Sequence, residues 1–289
     1  MKSGYIDVKG IRTFYVEQGQ GPTLVLMHGA SLAIDTLSTW SSNIESLARH
    51  FHVVAFDQVG FGLTDMPRDG QYVNRLARVD HALGFVDALG IRQASFAGHS
   101  EGGFMATRIA LDRPALVSRL IIVTSGATAP NLGGEEDAAW KAASARIYDY
   151  GEGAETEDKF IKTNGPLCHR QHPALEKLLR ENYRRAKQDG HLKMFQNLPE
   201  SEINYRLYMD LQEKYIQPHL PKVALPTLLL WAASDPTVPA ERGLKLSRIL
   251  PNADLQIFSG ASHMVMWDRA AEFNAVLASW LEASLAAKG

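Results

Sequence analysis

Ala94-Ser95-Phe96-Ala97-Gly98-His99-Ser100-Glu101-Gly102-Gly103 is the stretch that decides how this chain folds. Its first four residues form a short run of strand length, and Glu101 to Leu111 has the composition of a helix. Between them, Gly98-His99-Ser100-Glu101-Gly102 fits the pattern G-x-S-x-G. A serine between a strand and a helix sits on a sharp turn. Small residues two positions away on either side let strand and helix approach, and the turn exposes the hydroxyl at the sheet's edge. The helix also aims its N-terminus at any negative charge that develops there.

Outward from this turn, Thr23 to Met27, Val53 to Phe56 and Leu120 to Val123 read as buried strands. Ser41 to His50 and Asn74 to Leu89 read as helices; in the second, Leu76, Val79, Leu83, Val86 and Leu89 recur at spacings of three and four. Apolar strands separated by helices predict an α/β fold with a mostly parallel, doubly wound sheet covered on both faces. The alternation breaks after Thr124. Asn131 to Pro221 lacks a strong strand run and is helical in composition, most clearly at Glu135 to Tyr150 and Ala174 to Gln188. It then resumes with a strand at Thr227 to Trp231, a helix at Glu241 to Leu250, a strand at Leu255 to Phe258 and a closing helix at Ala270 to Ala287. The organisation expected is one core, residues 1–130 and 222–289, with a helical cap, residues 131–221, inserted after the sixth strand. Doubly wound sheets place their sites at the C-terminal ends of the strands, so the insertion should roof a pocket.

Composition bounds the function. The 289 residues are 45% hydrophobic and 21% charged, with 30 basic and 32 acidic side chains, a formal charge of 30 − 32 = −2. Such a chain has no global basic field for nucleic acid. The single cysteine, Cys168, excludes an intramolecular disulfide and a Cys₂ or Cys₄ metal site. Neither a signal peptide at Met1 to Asp7 nor a run of membrane-spanning length is apparent. The expectation is a soluble, cytoplasmic protein acting on a small molecule, without metal, cofactor, nucleic acid or membrane; a homodimer stays open.

A serine hydroxyl needs a base, and the base an orienting acid. Asp235 follows the strand ending at Trp231, and His263 follows the strand ending at Phe258. Ser100, Asp235 and His263 thus occur in an order suited to a triad, each just after a predicted strand. Asp235 could otherwise cap a turn, and His263 could be structural. No carboxylate follows Thr124 until Glu135, which leaves Asp235 as the acid. The backbone N–H groups of Glu101 and Ala30 are the expected oxyanion donors. Asp57-Gln58-Val59-Gly60-Phe61-Gly62 reads as a structural turn. Trp140, Ile147, Tyr148, Phe195, Tyr205 and Tyr208, at helical spacings in the cap, are candidates for the pocket wall.

Together these residues resemble the α/β-hydrolase fold over nearly the whole chain. Within it the chain is similar to the meta-cleavage product hydrolases, serine enzymes that cut a carbon–carbon bond in vinylogous diketones from aromatic catabolism. The similar stretches are Asp57 to Gly62, Gly243-Leu244-Lys245-Leu246, Asp268 to Phe273 and His191-Leu192-Lys193-Met194-Phe195. The chain departs from that family at Ala30 to Ile34, where a glycine-rich run is usual. It departs also at Glu101, where an apolar residue is usual, and at Met264, in place of a Trp. The resemblance implies a polar substrate contact near Ser42 or Asn43, a pocket position at Met264 and a cap arginine for the substrate carboxylate. Strict register lands on Glu181, and Arg180 is the nearest of Arg180, Arg184 and Arg185.

The leading expectation is therefore C–C hydrolysis of a meta-cleavage-type diketone. The alternative is a carboxylesterase for an aromatic or alkyl monoester, with lactones and amides behind it. A receptor-like ligand-binding module is the reading from another class, opposed by the intact Ser100, Asp235 and His263.

Overall fold

A computed structural model describes residues 1–70, 73–196 and 206–286 of the chain. The strands are β1 (Lys2–Val8), β2 (Ile11–Gln18), β3 (Thr23–Met27), β4 (His52–Phe56), β5 (Ala94–His99), β6 (Val117–Val123), β7 (Thr227–Ala232) and β8 (Ala253–Phe258). They form one sheet in the order β1-β2-β4-β3-β5-β6-β7-β8. From β4 to β8 every neighbouring pair is parallel, while β1–β2 and β2–β4 are antiparallel.

The helices are α1 (Thr36–Leu47), α2 (Arg75–Ala88), α3 (Glu101–Asp112), α4 (Gly134–Ile147), α5 (Glu157–Asn164), α6 (Pro173–Gln188), α7 (His191–Gln196), α8 (Arg206–Tyr215), α9 (Ala240–Ile249), α10 (Val265–Asp268) and α11 (Ala270–Ala286). Among the described residues, all regular structure between β6 and β7 is helical, and β6 is the sixth strand.

The central strands are buried on both faces, so alternate residues feed two cores. Val25, Met27, Val54, Phe56, Phe96 and Ile122 enter one, with Phe104 of α3 and Phe85 of α2. Leu24, Leu26, Val53, Ala55, Ala97 and Ile121 enter the other, with Trp40 of α1 and Phe273 of α11. A third cluster joins core loops to the insertion, setting Leu32 and Phe61 against Phe160, Tyr183, Leu192 and Phe195.

Two expectations change. The β1–β2 hairpin has no counterpart among the apolar runs, because β1, at a sheet edge, is exposed or half-buried up to Val8. Its two-residue turn, Lys9-Gly10, has both φ angles positive, 54° and 84°, as a tight hairpin turn requires. Helix α1 begins five residues before the expected Ser41. Asp35 caps it, accepting the Ser38 N–H at 2.8 Å while the Ser38 hydroxyl bonds back to the Asp35 N–H.

Candidate active site

Ser100 lies at the junction of β5 and α3 with φ 53° and ψ −117°, a strained backbone for a residue with a Cβ. The core holds it there. Its N–H donates to the Val123 carbonyl at 2.9 Å, and its own carbonyl accepts from the Ser125 hydroxyl and the Gly103 N–H. Close approach explains the glycines. A Cβ on Gly98 would strike the Gly102 backbone, and one on Gly29 would lie 3.0 Å from the Ser100 Cβ. Gly29, in the turn after β3, therefore packs directly against the serine. Ala30 follows it, and Glu101 is the first residue of α3.

Asp235 and His263 meet. His263 Nδ1 lies 2.7 Å from Asp235 Oδ2, with both side chains almost fully buried. The other oxygen of Asp235 accepts the N–H groups of Thr237 and Val238, at 2.7 and 2.9 Å, and the Thr237 hydroxyl at 2.8 Å. That hydroxyl is also 3.1 Å from His263 Nδ1. With a carboxylate at Nδ1 the proton sits there, leaving Nε2 as the acceptor on the far side of the ring.

His99 joins the two halves of the site. Its ring lies 4.7 Å from that of His263, and its Nε2 donates to the His263 carbonyl at 3.1 Å. The Thr124 hydroxyl donates to the same carbonyl at 3.0 Å. Burial, reinforced by the neighbouring His263, holds His99 well below the usual histidine range, so its ring is neutral. His28, beside Gly29, is pushed down to about 3 by burial, with the Arg78 charge adding to it. Its Nδ1 donates to the Gly29 carbonyl at 2.6 Å and its Nε2 accepts the Gln58 N–H at 3.0 Å, which fixes the turn bearing Gly29 and Ala30.

The Glu101 side chain is not a pocket wall. It is buried in an ion pair with Arg75 at 3.1 Å and with Arg78, both of α2. Its carboxylate replaces the usual apolar residue because α2 supplies two guanidinium groups. The Asp57 turn is structural, since its carboxylate accepts the N–H groups of Thr36 and Leu63, each at 2.8 Å.

Several expected pocket residues are engaged elsewhere. Ser42 and Asn43 bind the Met266 carbonyl at 3.0 and 3.1 Å, and Asn43 also bonds Asn274 at 2.8 Å. They fasten α1 to the segment after His263, which corrects their assignment as substrate contacts. Arg180 also requires correction. Its guanidinium binds Glu157, Asp158 and Glu176 at 2.8–2.9 Å, and these hydrogen bonds raise its already high basicity. Arg184 likewise binds Glu157. Arg185, about 100° further round α6, turns toward the core. It borders a small cavity with Ser31, Phe61, Asn182, His191 and Phe195. Its Nη1 is buried, 3.7 Å from Asp35 Oδ2 and without a hydrogen-bond partner among the described residues.

Trp140 packs over the Arg242 guanidinium, 4.8 Å from its ring, at the seam between α4 and α9. Ile147 is buried with Leu167, Leu175 and Met264. Tyr148 lies near Thr237 and Asp235; burial first, then the Asp235 charge, drives its phenol upward and keeps it protonated. Phe195 stacks edge-on against Phe61 and Tyr150. Tyr205 and the Tyr208 side chain lie outside the described residues. Sequence reasoning missed Thr237. Asp-Pro-Thr favours an Asx turn, which brings a hydroxyl two residues on beside the carboxylate, so a signal was present.

The Cys168 Sγ, a His172 ring nitrogen and an Asp268 oxygen lie within 4.8 Å of one another. Burial and the Asp268 charge push the Cys168 thiol up to about 12, so it is protonated and a poor ligand. Among the described residues no helix is long and apolar enough to cross a membrane.

Residues 22–270 match the family described as the alpha/beta hydrolase fold. The chain belongs to this family. Among related α/β hydrolases is the 2-hydroxymuconate semialdehyde hydrolase of Pseudomonas sp. (strain CF600), 28% identical over 290 residues, covering 98% of this chain and 95% of that one. The 2-hydroxy-6-oxo-6-phenylhexa-2,4-dienoate hydrolase of Comamonas testosteroni is 27% identical over 285 residues, covering 95% and 93%. In structure the hydrolase is similar to a meta-cleavage product hydrolase from Pseudomonas fluorescens IP01, with a TM-score of 0.81, 23% identity and coverage of 97% and 98%. At that identity the structural likeness speaks for the fold alone.

Proposed function

We propose that this α/β hydrolase cleaves the C–C bond of a meta-cleavage-type vinylogous diketone, with Ser100 as nucleophile, His263 as base and Asp235 as its orienting acid. The observation that carries the triad is the buried Asp235–His263 pair packed against the strained Ser100 turn. His263 takes the Ser100 proton as Oγ bonds the attacked carbonyl carbon, and returns it to the departing carbon as the C–C bond breaks; it then takes a proton from the water that cleaves the acyl-enzyme and gives it back to Ser100. Asp235, holding four hydrogen bonds, stabilises the imidazolium that forms in each step. The Ala30 and Glu101 N–H groups stabilise the oxyanion at the attacked carbonyl. Residues 131–221 act as a cap over the core of residues 1–130 and 222–289.

End-to-end similarity to two named C–C hydrolases supports the choice of bond. Arg185 supports an anionic substrate. A carboxylate entering a mostly apolar pocket needs a partner, and Arg185 is the cap arginine, of the three on α6, that turns toward the core. The second reading, an esterase for a neutral substrate, is favoured by the Asp35 carboxylate beside Arg185, which already offsets part of its charge. Steady-state assays with a phenyl-substituted dienoate and a short p-nitrophenyl ester separate the two. Preference for the dienoate by kcat/KM supports the C–C reading; turnover of the ester alone overturns it.

A further inference from the structure

The loop bearing His263 is fastened to the inserted region on both sides of the histidine. After it, the Met264 N–H donates to the Leu167 carbonyl at 2.8 Å. Before it, the Ser262 N–H donates to Asp268 at 2.9 Å. Asp268 is fully buried, and its carboxylate is held by the insertion, accepting the His169 N–H and the His172 ring N–H, each at 2.8 Å. Arg170 adds a guanidinium bond to the Asp268 carbonyl at 2.7 Å. The acid is reached as well. Tyr148, at the end of α4, lies within interaction range of Asp235 and of Thr237, whose hydroxyl touches both Asp235 and His263 Nδ1. Ser100 differs: its backbone bonds to Val123, Ser125 and Gly103 stay within the core.

We propose that the inserted region is a working part of the acid–base pair, with Tyr148 and His172 as positioning residues that act on Asp235 and His263 through Thr237 and Asp268. This rests on the triad reading above. An imidazole that must take a proton from Ser100 and pass it on has to keep its ring plane fixed while its charge changes. The core supplies two bonds to its carbonyl, from His99 and Thr124. Neither acts on the ring. Ring orientation depends on Asp235 and Thr237 at Nδ1 and on the placement of the 262–264 backbone, and the insertion reaches both. A cap that only shaped the pocket would have no need of bonds to Asp268 and Met264. It follows that damage at these points lowers turnover on substrates too small to touch the pocket wall.

The test uses the full chain, p-nitrophenyl acetate as the small substrate, and the low-field proton NMR signal of the His263 Nδ1–H. Thr237→Val removes the bridging hydroxyl at constant shape, and Thr237→Ser restores it. Tyr148→Phe and His172→Phe remove the contacts from the insertion; the latter keeps a ring against Trp267. Each loss variant should lower kcat about tenfold, the effect of one misplaced hydrogen bond in a transition state, with KM within about twofold. Each should also shift or broaden the low-field signal, and Thr237→Ser should recover both. Wild-type kcat and an unmoved signal in Tyr148→Phe and His172→Phe would overturn the proposal. So would changes confined to KM. Ser100→Ala, run alongside, separates the failures. If it stays active the triad reading falls, and the proposal with it; if it is inactive while the loss variants keep their kcat, only the proposal falls.

Discussion

The sheet and the inserted helices of this hydrolase are held by different forces. The central strands β3 to β7 are buried on both faces, and the residues that shape the Ser100 turn are fixed by backbone bonds and close contact. The insertion packs through a smaller apolar cluster and is laced outside by exposed ion pairs, such as Lys159–Glu155 and Arg184–Glu157. Surface pairs of that kind contribute little to stability and are screened by salt. On the proposed reading, side chains of the insertion that do not reach the His263 loop or Thr237 can change, and substrate preference with them, while the triad stays in place.

The largest effect should come from the core. Ser100→Ala should lower kcat on the order of a million-fold on any substrate, with the fold intact by circular dichroism. Asp235→Asn should cost about ten-thousand-fold, because His263 loses its orienting acceptor. Comparable losses from any single pocket-wall variant of the insertion would break the division between chemistry and selection.

Next comes selection. Arg185→Met should raise KM for a carboxylate-bearing dienoate about 10- to 100-fold, the range for losing a charged hydrogen bond, and spare a neutral ester of similar size. Arg180→Met should leave both within about twofold, since solvated acidic partners are all it loses. The reverse pattern would return the role to Arg180.

Third is the pH dependence of stability, which rests chiefly on buried core groups, with His191 of α7 shifted the same way by burial. Burial lowers His28 to about 3, His81 to about 4 and His99 well below the ordinary value. Below about pH 6.5 the unfolded chain protonates these histidines and the folded one does not, so their contribution is lost as pH falls. Asp57, raised to about 7 by burial and by nearby Asp35, works the other way. Its contribution is full below about pH 4 and is lost as pH rises through 7. Three protons against one leave a net of about two, or roughly 2–3 kcal/mol of lost stability per pH unit between pH 6 and 5. Urea melts at the two pH values check this, and equal stabilities would contradict it. The smallest effect is Asn43→Ala, expected to cost about 1–2 kcal/mol in urea melts by removing one of two bonds to the Met266 carbonyl and leaving the Asn274 side-chain oxygen without its donor. Its KM should not change, as befits a fastener.

The same division governs what was readable from sequence. β3 to β7 were legible because burial on both faces writes a largely apolar run, and the apolar residues at the end of the edge strand β8 sufficed to place it. Ser100, Asp235 and His263 were legible because each directly follows such a run. The β1–β2 hairpin was not, since an edge strand half exposed to solvent has no run to find. In the insertion, Arg180, Arg184 and Arg185 look alike in sequence. Which of them turns inward depends on how α6 sits on Ala33, whose carbonyl accepts from Asn182 at 2.9 Å. Ser42 and Asn43 misled for a related reason. A polar residue on the buried face of a helix can serve a ligand or tie down a neighbouring loop, and only tertiary contacts distinguish the two.

The central claim is that Ser100 is the nucleophile. Labelling the intact protein with a fluorophosphonate and mapping the adduct by mass spectrometry tests it most directly. The account predicts one adduct, on the peptide bearing Ser100, formed in step with loss of activity and absent from Ser100→Ala. Inactivation with the adduct on another residue, or full activity in a protein labelled stoichiometrically at Ser100, would contradict it.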